Sequence, residues 1–266
     1  MASRTKQKEE ARARRLAEER ARQARERQQR RLRMVAGDVL GALAVVAVAI
    51  AVSSGGGGGG SAAGLQTGTK LAQTETTVNN LLSGIPQSGT TLGNPNAPVT
   101  MYYYGDLQCP TCRAFTLDGG FGQFVSNEVK AGKVKVQYRA FQTATKDPST
   151  FQTQQVAALA AGKQNKFWNF TELFYRQQGE EGTSYVNDKY LTGIAQQIPG
   201  LNLTTWRSAR NDANLAAQVS NDVSAGNSAG INGTPTLIFQ GPRKTATPSS
   251  VVPSYSDLQQ ALAQVQ

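Results

Sequence analysis

VTMYYYGDLQCPTC, residues 99–112, is a strand pattern that runs straight into a Cys-x-x-Cys pair. Val99 to Gly105 is β-branched and aromatic, which predicts a strand, and Cys109 and Cys112 follow its end. A helical run with a Gly119-Gly120 interruption extends toward Lys130, and Val134 to Phe141 (VKVQYRAF) predicts the next strand. The order is strand, helix, strand, with the cysteines at the start of the helix, so the fold class is α/β. A second stretch, GINGTPTLIF at residues 230–239, sets Pro235 just before an apolar strand. A cis bond there would make a tight turn into the strand.

A sulfur at a helix N-terminus faces unpaired backbone N–H groups and the positive end of the helix dipole, and both favour thiolate over thiol. Cys109 is therefore the expected attacking sulfur. Pro110 suits the first helical turn because its missing N–H costs no bond there. Cys112, one turn on and more deeply placed, would resolve the mixed disulfide. Three plainer readings of the pair compete. A structural disulfide closing so small a loop would contribute only about 2 kcal/mol. A zinc site needs four ligands, and the chain has two cysteines and no histidine. The third is an incidental pair of reduced thiols. The absence of histidine also excludes a Ser-His-Asp triad, a Cys-His pair and His-ligated haem. No metal and no cofactor is expected.

The chain of 266 residues has a formal net charge of +10, but that charge is concentrated at one end. Residues 1–33 carry 13 Lys/Arg against 5 Asp/Glu, while the other 233 carry 15 against 13. The nearly neutral remainder gives no support for a nucleic-acid groove. Lys133, Lys135, Arg139 and Lys146 read as a solvated sheet edge.

The organisation expected from the sequence has four parts. Residues 1–33 form a basic cytoplasmic tail, with Glu10/Arg14, Glu18/Arg22 and Glu26/Arg30 at helical i,i+4 spacing. Residues 34–54 contain the unbroken apolar run Val39 to Val52 and, as a helix of about 30 Å, would cross a membrane once, with Asp38 at the interface; a buried core helix or a cleaved signal peptide are the competing readings, and the 33-residue basic region is long for a signal peptide. The basic excess before the span puts the N-terminus in the cytoplasm and the rest outside. Residues 55–90 begin with the flexible tether GGGGGGSAAG and include a short amphipathic helix marked by Val78, Leu81, Leu82 and Ile85. Residues 91–266 form the folded domain, with a mostly helical stretch at about 150–228, a strand near Arg243 to Thr247, and a C-terminal helix from Ser256.

From Ile85 onward the chain resembles the DsbA-like thiol-disulfide oxidoreductases of the thioredoxin superfamily, in their membrane-anchored form. The resemblance rests on Ile85-Pro86-Gln87-Ser88-Gly89, on Leu92 to Thr100 (LGNPNAPVT), on Asp106 to Cys112 (DLQCPTC), and on Gly233-Thr234-Pro235-Thr236. It implies a thioredoxin fold with a helical subdomain inserted at about 150–228, in which Phe167-Trp168 matches an aromatic pair of the family and reads chiefly as core. It also implies that Pro235 is cis and lies beside Cys109, with Thr234 offering backbone groups to an extended substrate. Family members often carry an acid where this chain has Tyr103. Asp106 could serve in its place through water, or could simply cap the turn. Thr111 stands where the strongest oxidants have His, so a reduction potential between about −120 and −270 mV is expected. The implied partners are exported polypeptides with thiols or disulfides and a membrane redox partner. Oxidation is the favoured direction; a reductase or isomerase of the same fold, or a non-enzymatic peptide-binding module stapled by a disulfide, are the alternatives.

Overall fold

The computed structural model describes residues 64–266. The expectations for the basic tail, the apolar span and nearly all of the glycine tether lie outside the described residues. Among the described residues no helix is long and apolar enough to cross a membrane.

The chain opens with α1 (Gly68–Leu82), followed by two-residue strands β1 (Gln87–Ser88) and β2 (Thr91–Leu92), then β3 (Val99–Gly105). The redox-pair helix α2 spans Pro110–Leu117, and α3 (Phe121–Phe124) runs on through a wider turn at Val125–Val129 to β4 (Val134–Ala140). The insertion is five helices: α4 (Pro148–Gly162), α5 (Phe167–Arg176), α6 (Asp188–Gln196), α7 (Leu203–Ala209) and α8 (Ala213–Ser228). Strands β5 (Thr236–Gln240) and β6 (Thr245–Ala246) and helix α9 (Tyr255–Val265) complete the domain.

The six strands lie in the order β1-β2-β4-β3-β5-β6. β3 and β4 are parallel, from Val99 opposite Val134 to Gly105 opposite Ala140, as a βαβ unit requires. β5 returns antiparallel on the other side of β3, with Thr236 opposite Tyr104. The N-terminal end of β5 therefore meets the C-terminal end of β3, and the proline stretch reaches the cysteines across the sheet. Trp168 of α5 fills the face beneath them: its ring stacks on Phe121 at 5.5 Å and its Nε1 donates to Thr90 O at 3.1 Å. The Gly119-Gly120 interruption lets the start of α9 approach, since a Cβ on Gly120 would collide with the backbone of Ser254 and Tyr255.

Four sequence expectations are corrected. β4 is an interior strand, paired with β2 and β3, so its cations do not line a solvated edge. Arg139 reaches α8, where it pairs at 2.7 Å with Asp222, a residue only 1% exposed. The first helix begins at Gly68, ten residues before Val78, because only Val78 and Leu82 are buried along it and the rest of its surface is polar. The β1–β2 hairpin straddles the expected domain start at Thr91, so the folded domain begins before it. Helix α9 starts at Tyr255, where Ser254 and Asp257 form a reciprocal capping box.

One buried ion pair is unevenly satisfied. Glu172 and Arg176 meet at 3.2 Å on α5, yet Glu172 Oε1 and Arg176 Nε have no partner. Burial pushes the Glu172 carboxyl up to about 7 against the attraction of Arg176. A carboxyl raised in the folded state contributes stability that is full below its unfolded value and is lost as pH rises through about 7. The oxidised protein should therefore lose about 3 kcal/mol between pH 4.5 and pH 8, on the order of 5–10 °C in Tm. Glu172→Gln should abolish most of that slope in a thermal-melt series; an unchanged slope would assign it elsewhere.

Candidate redox site

Beyond Gly105 the chain turns sharply, with Cys109 N donating to Asp106 O at 3.0 Å. Cys109 is the N-cap of α2 and Pro110 occupies the first helical turn. The cap is made by sulfur: Cys109 Sγ accepts from the Cys112 backbone N–H at 3.2 Å. Both cysteines are free thiols, Cys109 4% exposed and Cys112 fully buried. A hydrogen bond from the Cys112 thiol is the main influence that lowers Cys109 to about 6, against the cost of burial. The Thr234 side chain and the backbone N–H groups of Cys112 and Thr111 add to it. Burial and the neighbouring Cys109 push Cys112 well above the ordinary thiol value. Two identical side chains three residues apart are thereby given opposite tendencies.

The proline stretch closes the site from the other side. The Thr234–Pro235 bond is cis, and Thr234 O accepts from Cys109 Sγ at 3.3 Å. Beside it lies a cavity of about 300 Å³ between Gly233–Leu237 and the segment before α9, including Pro248, Val251 and Pro253. Val251 is 68% exposed on its rim, unusual for an aliphatic side chain in this domain.

Asp106 is fully buried and its carboxylate accepts six hydrogen bonds. Three come from consecutive backbone N–H groups, those of Thr143, Ala144 and Thr145, at 3.0, 3.0 and 2.8 Å. The others come from Gln108 N, the Thr145 hydroxyl and Gln154 Nε2. A carboxylate so fully engaged is a staple between the cysteine turn and the loop after β4. Gln178, just past α5, holds the same turn through Leu107 O at 2.8 Å and Cys109 O at 3.2 Å.

Tyr103 points beneath Cys112. Its hydroxyl lies 3.4 Å from Cys112 O, 3.4 Å from Thr116 Oγ1 and 3.5 Å from Tyr175 Oη, long for hydroxyl contacts. Tyr175 in turn donates to Asp106 O at 3.3 Å, and Gln155 donates to Tyr138 at 3.4 Å. Burial holds all three phenols well above their ordinary value, so the floor under Cys112 is neutral.

The structure thus brings together Cys109, Cys112, Pro110, Thr111, Asp106, Thr234 and Pro235. Sequence reasoning missed Thr143, Gln178 and the Tyr138–Tyr175 pair. Thr143 had a usable signal: residues just past parallel β4 must lie beside residues just past β3, at the strand ends where α/β sheets build their sites.

A family described as Thioredoxin matches residues 87–260 of the chain. The chain belongs to the thioredoxin family. Within the family it is similar to disulfide bond formation protein D of Bacillus subtilis, 26% identical over 166 residues that make up 60% of this chain and 72% of that one. It is also 29% identical over 152 residues to Na(+)/H(+) antiporter NhaA 1 of Salinispora arenicola, covering 57% of this chain but only 21% of the antiporter. Among solved structures, oxidised BdbD from Bacillus subtilis superposes with a TM-score of 0.57 at 22% identity, over 69% of this chain and 96% of that one. The thioredoxin domain with its inserted helices is therefore DsbA-like in fold.

A thiol lowered on folding stabilises the reduced protein at alkaline pH, and that stability is lost as pH falls through the folded value. Titration of the reduced protein by thiolate absorbance should show one step near 6 that disappears in Cys109→Ser. The stability advantage of the reduced over the oxidised form should shrink as pH falls from 9 through about 6. A first step near that of free cysteine would remove the electrostatic basis of the site.

Proposed function

We propose that this thiol-disulfide oxidoreductase works as an oxidase of exported polypeptides, with Cys109 and Cys112 as its redox pair and Thr234-Pro235 as the strand to which substrate docks. The observation that carries the reading is the opposed placement of the two sulfurs: Cys109 is ringed by donors and lowered to about 6, and Cys112 is buried and raised. A substrate thiolate attacks Cys109 Sγ of the oxidised pair, the Cys109–Cys112 bond breaks, and Cys112 leaves and takes up a proton. A second substrate thiolate then attacks the substrate sulfur of the mixed disulfide. Cys109 departs as the anion its surroundings favour. The substrate has lost two electrons, the enzyme holds them as a dithiol, and a membrane redox partner removes them.

Direction follows from the same asymmetry. Stabilising the thiolate stabilises the reduced enzyme and makes its disulfide the stronger oxidant. A Cys109 value lowered to about 6 therefore favours a potential on the oxidising side of thioredoxin. The open cavity beside Pro235 and the exposed Val251 suit an extended, partly apolar chain held mainly through its backbone. The apolar run at residues 34–54 and the basic excess before it support a single-pass anchor with the N-terminus in the cytoplasm and the redox domain outside.

Equilibration with glutathione should return a potential above that of thioredoxin, and Cys112→Ala should accumulate mixed disulfides with exported proteins. Cys109→Ser should abolish exchange while keeping peptide affinity. A potential at or below about −270 mV, with insulin reduction but no thiol oxidation, would make the protein a reductase. Protease added outside intact cells should release the domain; protection would refute the topology.

A further inference from the structure

A second, smaller cavity of about 120 Å³ lies between the loop after β4 and the segment that joins α5 to α6. Gln108, the residue before Cys109, lines it together with Thr145, Lys146, Asp147, Thr150 and Ser184. Residues after β4 lie on one side of β3 and residues before β5 on the other, so this cavity and the one at Pro235 flank the cysteine turn. Because Gln108 adjoins Cys109, the residues beside a substrate cysteine come within reach of its side chain.

The orientation of the Gln108 amide is set by a chain of bonds that starts at Asp106. The Asp106 carboxylate only accepts, and the Thr145 hydroxyl already gives it a proton, so Gln154 must turn its nitrogen to both, at 3.2 and 2.9 Å. Gln154 Oε1 then faces Gln108, which must donate to it through Nε2, at 3.1 Å. Gln108 Oε1 is thereby left as an acceptor with no donor among the described residues. It belongs to a side chain only 6% exposed, yet it is not sealed off from the cavity. Turning the amide over would set two carbonyl oxygens against each other, so the acceptor is fixed in place.

We propose that Gln108 is a specificity-determining residue for the polypeptide substrate: its amide oxygen accepts from the side-chain carboxamide of an asparagine close to the substrate cysteine. The cavity has room for one short side chain, and the Ser184 hydroxyl on its rim has a proton for the carboxamide oxygen. An aspartate there would turn acceptors on an acceptor. A leucine would cover Gln108 Oε1 without giving it a partner. The inference rests on the reading that Cys109 exchanges with polypeptides docked at Thr234-Pro235, and it names what such a chain carries beside its cysteine.

Matched peptides with serine in place of the reacting cysteine, titrated against the reduced full chain, read binding apart from exchange. They carry asparagine, aspartate or leucine at each of the two positions on either side of the serine. In one register the asparagine peptide should bind about fivefold more tightly than its aspartate and leucine counterparts. Gln108→Met keeps the length, removes the acceptor, and should bring that ratio to about one. Ser184→Leu fills the cavity from its rim, leaves the Gln108–Gln154 bond untouched, and should do the same; it replaces the first variant if that one folds poorly. Each ratio is taken within one protein, so general damage to the site cancels. Equal affinities in every register, a preference for aspartate, or an asparagine preference that survives in either variant would overturn the proposal. The cysteine forms of the same peptides separate the two readings. Exchange without selectivity leaves the oxidoreductase standing and removes the subsite, whereas selective binding without exchange does the reverse.

Discussion

The groups that set the Cys109 sulfur come from segments that meet only in the finished sheet: Cys112 N–H donates to it and Thr234 O accepts from it. The α2 turn supplies the Cys112 thiol and the Cys112 and Thr111 N–H groups that lower Cys109, and the loop before β5 supplies the Thr234 side chain. An isolated Cys-Pro-Thr-Cys peptide could offer the first set in a fraying turn, but not the second. The antiparallel return of β5 along β3 is what carries Thr234 to the sulfur. Thiolate stability is therefore local in its largest part, the Cys112 thiol, and tertiary in the part that Thr234 adds.

The same geometry explains why a charge is buried so close to the redox pair. A fully buried carboxylate is costly unless its oxygens are saturated with donors, and Asp106 meets that condition with six. Its donors lie on three segments: the cysteine turn, the loop after β4, and α4. Satisfying the charge thus forces those segments into one arrangement, and the polar cluster specifies the site's shape. Glu172 shows the contrast. With a single partner and an orphaned oxygen it is pushed toward the neutral form, and its donors tie no other segment to α5.

The parts legible in the sequence were those set by local rules. The β-branched and aromatic run of β3, the cysteines at a helix start, the proline before an apolar strand, and the long helical insertion all carry their signals within a few residues. The parts that were not legible depend on pairing at a distance. β1 and β2 are two residues each, too short for any alternation to register. Arg139 looked like an edge cation because its partner Asp222 lies on α8, across the insertion. Helix α1 was read too short because just two of its residues are buried. Asp106 was seen, but its role is defined by backbone N–H groups at 143–145, and backbone donors leave no trace in side-chain identity.

Tyr103, Tyr138 and Tyr175 complete the logic of the pair. A carboxylate beneath Cys112 would place a second anion within reach of the Cys109 thiolate and oppose the lowering that the donors achieve. Three buried phenols fill that volume with polarisable, hydrogen-bonding groups that stay neutral across the working pH range. The floor therefore supports charge on Cys109 without competing for it. Burial and the neighbouring Cys109 hold the Cys112 thiol in its protonated form. Of the two sulfurs, the arrangement favours negative charge on Cys109 and disfavours it on Cys112.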